Sequence, residues 1–134
     1  MYIKFFALSL PMFLVLDFLW LGFVVKDFNL GQLSLIGRIE NGKFDLLMWP
    51  AGLAYLLMAL SVALFSAPRA AVSGSGFEAF FWGAALGLVI YGVFDMTNLA
   101  ILKNYPVLFA AADMAWGTFL YGLVTWLVAW KLKG

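Results

Sequence analysis

Four long apolar runs dominate this chain, and they restrict its fold more than any other feature. A helix that crosses the hydrocarbon core of a bilayer needs about 20 predominantly apolar residues. The sequence holds four runs of about that length, near residues 5–25, 44–65, 77–102 and 106–130. Because every backbone N–H and C=O group in lipid must be satisfied internally, such runs form helices. We predict an all-α fold, an integral membrane four-helix bundle in which residues 1–134 make one domain.

Composition supports the membrane and excludes several function classes. The chain is 66% hydrophobic and 11% charged, with a mean hydropathy of +1.01, whereas a soluble domain is about half apolar and about one quarter charged. A net charge of +1 with dispersed basic residues gives no nucleic-acid footprint. The sequence has no cysteine and no histidine, which excludes disulfides and thiolate or imidazole ligands. We expect no cofactor and no metal site, since any metal would need oxygen ligands alone.

The connections are short. The longest polar segment runs from Lys26 to Lys43, and its loose apolar stripe fits either a short helix in the membrane interface or an irregular loop. Asn41-Gly42 within it predicts a turn. Residues 66–76 are rich in Ala, Ser and Gly, which predicts that the second helix ends there in a flexible connector.

Three carboxylates interrupt the apolar runs: Asp17, Asp95 and Asp113. Toward one common side of the membrane, Asp17 lies eight residues before Val25, Asp95 eight before Lys103 and Asp113 eight after Tyr105. Each acid is thus roughly 12 Å from that side along a helix that rises about 1.5 Å per residue. An ionisable group inside a bilayer is costly and by default indicates a functional site. We predict that the three acids converge at one level, although buried polar groups also serve simply to hold helices together.

The acids have no lysine or arginine at their depth. Three ionised carboxylates in a low dielectric repel each other strongly, so we expect either that at least one carries a proton or that a bound cation or cationic ligand holds two of them ionised. We predict a ligand-binding or proton-relay site that adds five neighbours to the three acids: Trp20, Tyr91, Thr97, Asn98 and Trp116. Catalytic residues are not assigned.

The third run also contains a packing motif. Gly83 and Gly87 form a G-x-x-x-G pattern, which lets two membrane helices approach closely. We predict a close-packed helix face there.

The residues around the acids also resemble a bacterial family of small four-helix inner-membrane proteins known as a domain of unknown function. The matching signatures are Asp17-x-x-Trp20-Leu-Gly22, Asp95-Met-Thr97-Asn98-Leu-Ala100, Lys103-Asn-Tyr-Pro106 and Asp113-Met-Ala-Trp116-Gly117-Thr118. The resemblance covers most of the chain and is strongest from Tyr91 to Thr118. It implies an inner-membrane location and the four-helix architecture. Members are often encoded near lipid-modifying and oxidative-stress functions, which favours a lipid or small amphipathic ligand.

Three functions fit these observations. The first is a pocket that binds or processes a lipid or a small amphipathic ligand, with membrane lipids as partners. The second is an accessory subunit of a larger membrane complex or a homo-oligomer, and the third is a proton- or ion-coupled carrier. Lysine and arginine are divided equally between the two membrane sides, so the positive-inside rule does not decide orientation. Fewer acidic residues lie on the side of the membrane that holds the termini, and this difference favours cytoplasmic termini.

Overall fold

The computed structural model describes residues 1–133, most of which are helical. In chain order the elements are α1 (Tyr2–Leu19), a π-helix (Trp20–Val24), α2 (Lys26–Gln32), β1 (Ile39–Glu40), β2 (Lys43–Phe44), α3 (Met48–Ser61), a second π-helix (Val62–Ser66), α4 (Ala67–Ser73), α5 (Gly76–Ile101) and α6 (Val107–Lys133).

Four helical stretches are long and apolar enough to cross a membrane: Tyr2–Val24, Met48–Ser73, Gly76–Ile101 and Val107–Lys133. They confirm the predicted all-α fold with four spans. Large apolar side chains such as Phe18, Phe65 and Phe94 are exposed on their outer surfaces, which suits helices surrounded by lipid rather than water.

The second span differs from the prediction at both ends. It begins at Met48, because Lys43 and Phe44 belong to β2, and it continues to Ser73 instead of ending near residue 65. A proline inside a helix removes a backbone hydrogen bond and crowds the preceding turn. Pro68 lies in the first turn of α4, two residues after the end of the π-helix at Ser66, and the wider turn of the π-helix accommodates it. Residues 66–73, predicted to be a flexible connector, are therefore helical.

The connection between the first two spans combines a short helix with a hairpin. Helix α2 agrees with the first of the two predicted alternatives, and the antiparallel strands β1 and β2 follow it. The predicted turn is confirmed, since Asn41 and Gly42 have φ angles of 51° and 73°. Positive φ at both central residues is the geometry of a two-residue hairpin turn.

The closest helix packing joins α5 to α6. A Cβ atom added at Gly83 would overlap the backbone oxygen of Tyr121, and one added at Gly87 would overlap that of Gly117. The predicted close-packed face therefore lies inside the bundle, against α6. Beside it the core contains Phe13 and Tyr121, both fully buried, with ring centroids 4.8 Å apart.

Candidate functional site

Asp17 is the point at which three of the four spans meet. Its side chain is buried near the end of α1. One carboxyl oxygen, Oδ2, accepts a hydrogen bond of 2.9 Å from the Tyr55 hydroxyl on α3. The other, Oδ1, accepts one of 2.7 Å from the Trp116 indole nitrogen on α6. Both carboxyl oxygens thus accept from neutral donors, a geometry that suits an ionised carboxylate.

Two copies of the short pattern Asp-x-x-Trp meet between α6 and the first span. Trp116 bonds to Asp17, and its ring stacks on that of Trp20 with centroids 4.3 Å apart and planes 5° apart. Trp20 in turn lines a narrow crevice together with Asp113. The two spans are antiparallel, so the two motifs meet in opposite directions. Asp17 bonds to Trp116, whereas Asp113 and Trp20 share the wall of the crevice.

Asp95 lies on α5 and is fully buried. Its Oδ1 accepts a hydrogen bond of 2.6 Å from the hydroxyl of Tyr105, in the connection between α5 and α6. Burial raises the pKa of Tyr105 above its ordinary value, and the bond to Asp95 raises it further, so this hydroxyl stays a donor at neutral pH. Asn98 lies beside the same hydroxyl.

The second oxygen of Asp95 has an acidic neighbour. Among residues 1–133, no donor group reaches Asp95 Oδ2, although this atom is buried. The carboxyl group of Asp113 lies next to that of Asp95. Two adjacent carboxyl groups need a proton or another positive group nearby to offset their repulsion.

A cleft of about 550 Å³ opens beside these acids. Asp17, Asp113 and Tyr55 supply polar groups to its wall, and Asn29 of α2 adds an amide. The remaining wall is apolar: Leu14, Phe18, Leu21, Gly22, Leu33, Phe44, Leu46 and Phe109. Since α2 and β2 both contribute residues, the connection between the first two spans forms part of the cleft.

The structure brings together most of the residues that the sequence singled out. The three acids converge, with Trp20, Trp116 and Asn98 next to them. Tyr91 lies a little deeper, where its ring packs on Gly117 and approaches Tyr121. Thr97 is exposed, because two residues along a helix turn the side chain by about 200°, away from Asp95.

Sequence reasoning missed three polar residues of this region: Asn29, Tyr55 and Tyr105. Tyr55 is the first hydroxyl-bearing residue of the second span and lies seven residues after Met48, close to the depth at which the acids lie in theirs. Counting residues from the end of the span, as was done for the acids, would also have identified Tyr55 if the start of the second span had been predicted correctly. Asn29 and Tyr105 lie outside the spans, and only tertiary packing brings them to the acids.

The arrangement can bind a positive charge or move a proton, because it places two carboxyl groups at the cleft wall and a third carboxyl group next to one of them. Among residues 1–133, no three acidic side chains lie in a group that could hold a metal ion.

Residues 2–130 match a protein family described as "Predicted membrane protein (DUF2177)". The chain belongs to this family. The match covers nearly the whole of this DUF2177 protein, including all three acids and both tryptophans of the site. Comparisons with curated proteins and with solved structures find no match.

Proposed function

We propose that this protein holds a lipid or a small amphipathic molecule in the cleft beside Asp17 and Asp113. The observation that carries the proposal is the character of the cleft wall, which is apolar over most of its area and polar where the two carboxylates reach it. An amphipathic molecule has the same division between a chain and a polar head.

The size of the cleft supports this proposal. Pockets that bind small molecules usually have volumes of about 300–1,000 Å³ and apolar walls with a few placed polar groups, and about 550 Å³ lies within that range. The π-helix at Trp20–Val24 contributes Gly22 to the wall, and π turns are frequent at functional sites.

The accessory-subunit alternative has less support. A G-x-x-x-G face suits contact with a partner helix, but Gly83 and Gly87 pack against α6 of the same chain. The face is therefore not available to a partner.

A matched pair of glycine variants tests the proposal. Ideal Cβ atoms at Gly22 and at Gly52 both meet nothing within 4 Å, so either position accepts a larger side chain. Gly22 lines the cleft, and Gly52 does not. We expect Gly22→Phe to displace an amphiphile that wild type and Gly52→Phe both retain. Native mass spectrometry of the three proteins, purified gently from cell membranes, measures this directly. Equal retention, or no bound amphiphile in wild type, would contradict the proposal.

We also propose that the protein lies in the inner membrane of a bacterium with its termini in the cytoplasm. The support is the smaller number of acids on the side of the termini. In this orientation the cleft, which includes residues of α2 and β2, lies in the periplasmic half of the bilayer.

A further inference from the structure

The charged groups of the cleft are all of one sign. Asp17 and Asp113 line it, and no lysine or arginine is among its lining residues. Within residues 1–133 no ion pair neutralises either acid, since the partners of Asp17 are a phenol and an indole and the neighbour of Asp113 is another acid. The wall therefore presents negative charge without a compensating base.

The acids of the cleft are placed to accept hydrogen bonds. Asp17 accepts from two donors, one on each oxygen, and these bonds favour its ionised form over its protonated form. Asp113 reaches the same wall next to the carboxyl group of Asp95. Two carboxyl groups thus lie at one end of an apolar cleft, where a buried negative charge is costly unless a positive group pairs with it.

One buried carboxyl oxygen close to this wall has no donor. Asp95 Oδ2 has no hydrogen-bond donor among residues 1–133, although Asp95 is fully buried. The carboxyl group of Asp113, which reaches the cleft wall, lies next to that of Asp95. A positive group at the wall would therefore stabilise Asp113 and the acid behind it.

A metal ion does not fit as the missing cation. No three acidic side chains among residues 1–133 form a group that could hold one, and a hard cation takes six or more oxygen ligands. The cleft offers two carboxylates, one phenol and one amide among eight apolar residues. A single ammonium group on an apolar chain satisfies both parts of the wall, because its N–H groups donate to carboxylates.

We infer that the ligand of this cleft is a cationic amphiphile, with an ammonium head between Asp17 and Asp113 and an apolar chain along Phe18, Phe44 and Phe109. This inference rests on the proposed function and adds the charge of the ligand to it.

Three probes with the same chain and different heads test this inference without any mutation. Dodecylamine, dodecanol and dodecanoate carry a positive, a neutral and a negative head. The wild-type protein, in nanodiscs of zwitterionic phosphatidylcholine, is offered an equimolar mixture, and native mass spectrometry reports which probe is retained. Empty nanodiscs correct for partition into the bilayer. We expect dodecylamine to exceed each competitor by about tenfold or more, since a desolvated charge pair gives at least that discrimination.

Acid variants then locate the head group. Asp113→Asn and Asp17→Asn should each reduce the preference for dodecylamine by about tenfold. Asp27→Asn is the matched control, because Asp27 is exposed on α2 and does not line the cleft; its preference should equal that of wild type. If Asp17→Asn fails to fold, Asp113→Asn and the wild-type comparison decide the question.

The outcomes separate the two proposals. If wild type retains dodecanol or dodecanoate as well as dodecylamine, and Gly22→Phe excludes them all, the cationic ligand is wrong and the amphiphile cleft stands. If no probe is retained above the level of empty nanodiscs, both proposals fall. An equal loss of preference in Asp27→Asn would assign the selectivity to general surface charge and also overturn the inference.

Discussion

The Trp116 indole nitrogen donates to Asp17 across 2.7 Å and joins residues that are 99 positions apart in the chain. The same indole ring stacks on Trp20, so one side chain fixes α6 against the first span through its edge and its face. These two contacts of Trp116 fix the position of α6 beside the acids.

Loss of the Trp116 N–H should weaken the bundle measurably. Trp116→Phe keeps an aromatic ring on Trp20 but leaves Asp17 Oδ1 without its donor. We expect the free energy of unfolding to fall by about 1–2 kcal/mol, the cost of an unpaired buried polar group. Unfolding in detergent micelles, followed by circular dichroism, gives the value. Trp130→Phe is the control, because Trp130 is 65% exposed; a similar loss there would contradict the assigned role of Trp116.

The contact between Tyr105 and Asp95 should behave as one coupled unit. Tyr105→Phe removes the donor to Asp95 Oδ1, and we expect a loss of about 1–3 kcal/mol in unfolding free energy because this carboxyl group is buried. Asp95→Ala removes the acceptor itself, so Tyr105→Phe then deletes no hydrogen bond. In a double-mutant cycle the two changes should therefore be less costly together than their sum. Simple additivity would show that the hydrogen bond contributes nothing to stability.

Close packing of α5 on α6 predicts that Gly87 and Gly52 differ in how well they tolerate an added methyl group. Gly87→Ala places a methyl group against the Gly117 backbone, which cannot yield as a flexible side chain would. We expect a destabilisation of about 1–3 kcal/mol. Gly52→Ala meets no atom within 4 Å, and we expect it to be neutral or slightly stabilising because Ala favours a helix. Thermal unfolding of both variants tests this, and equal melting temperatures would rule out the tight contact.

Orientation in the membrane can be measured because the chain has no cysteine. Asn104 lies exposed in the connection between α5 and α6, and Val72 is 90% exposed near the other end of the bundle. With cytoplasmic termini, a membrane-impermeant maleimide added to intact cells should label Asn104→Cys and leave Val72→Cys unlabelled. Permeabilised cells serve as the positive control. The reverse labelling pattern would place the termini in the periplasm and the cleft in the cytoplasmic half of the bilayer.

The spans could be predicted because they depend on local properties. Apolar runs of sufficient length must be helical in lipid. Helices long enough to span a membrane appear in the structure where they were predicted. The presence of Asp17, Asp95 and Asp113 inside three of these spans likewise follows from their positions in the sequence. Errors arose where a local signal competed with tertiary context: Pro68 indicated a helix end, but a preceding π-helix lets the helix continue to Ser73.

The sequence by itself determined that this protein has four helices able to span a membrane and that three of them each carry an acid. The tertiary structure alone decided how those acids are paired, because hydrogen-bond partners depend on the rotation and register of helices from distant parts of the chain. Tyr55 and Trp116 reach Asp17 only across helix contacts, and Tyr105 reaches Asp95 only because the connection folds back over α5. The cleft, too, exists only once α2 and β2 close against the spans.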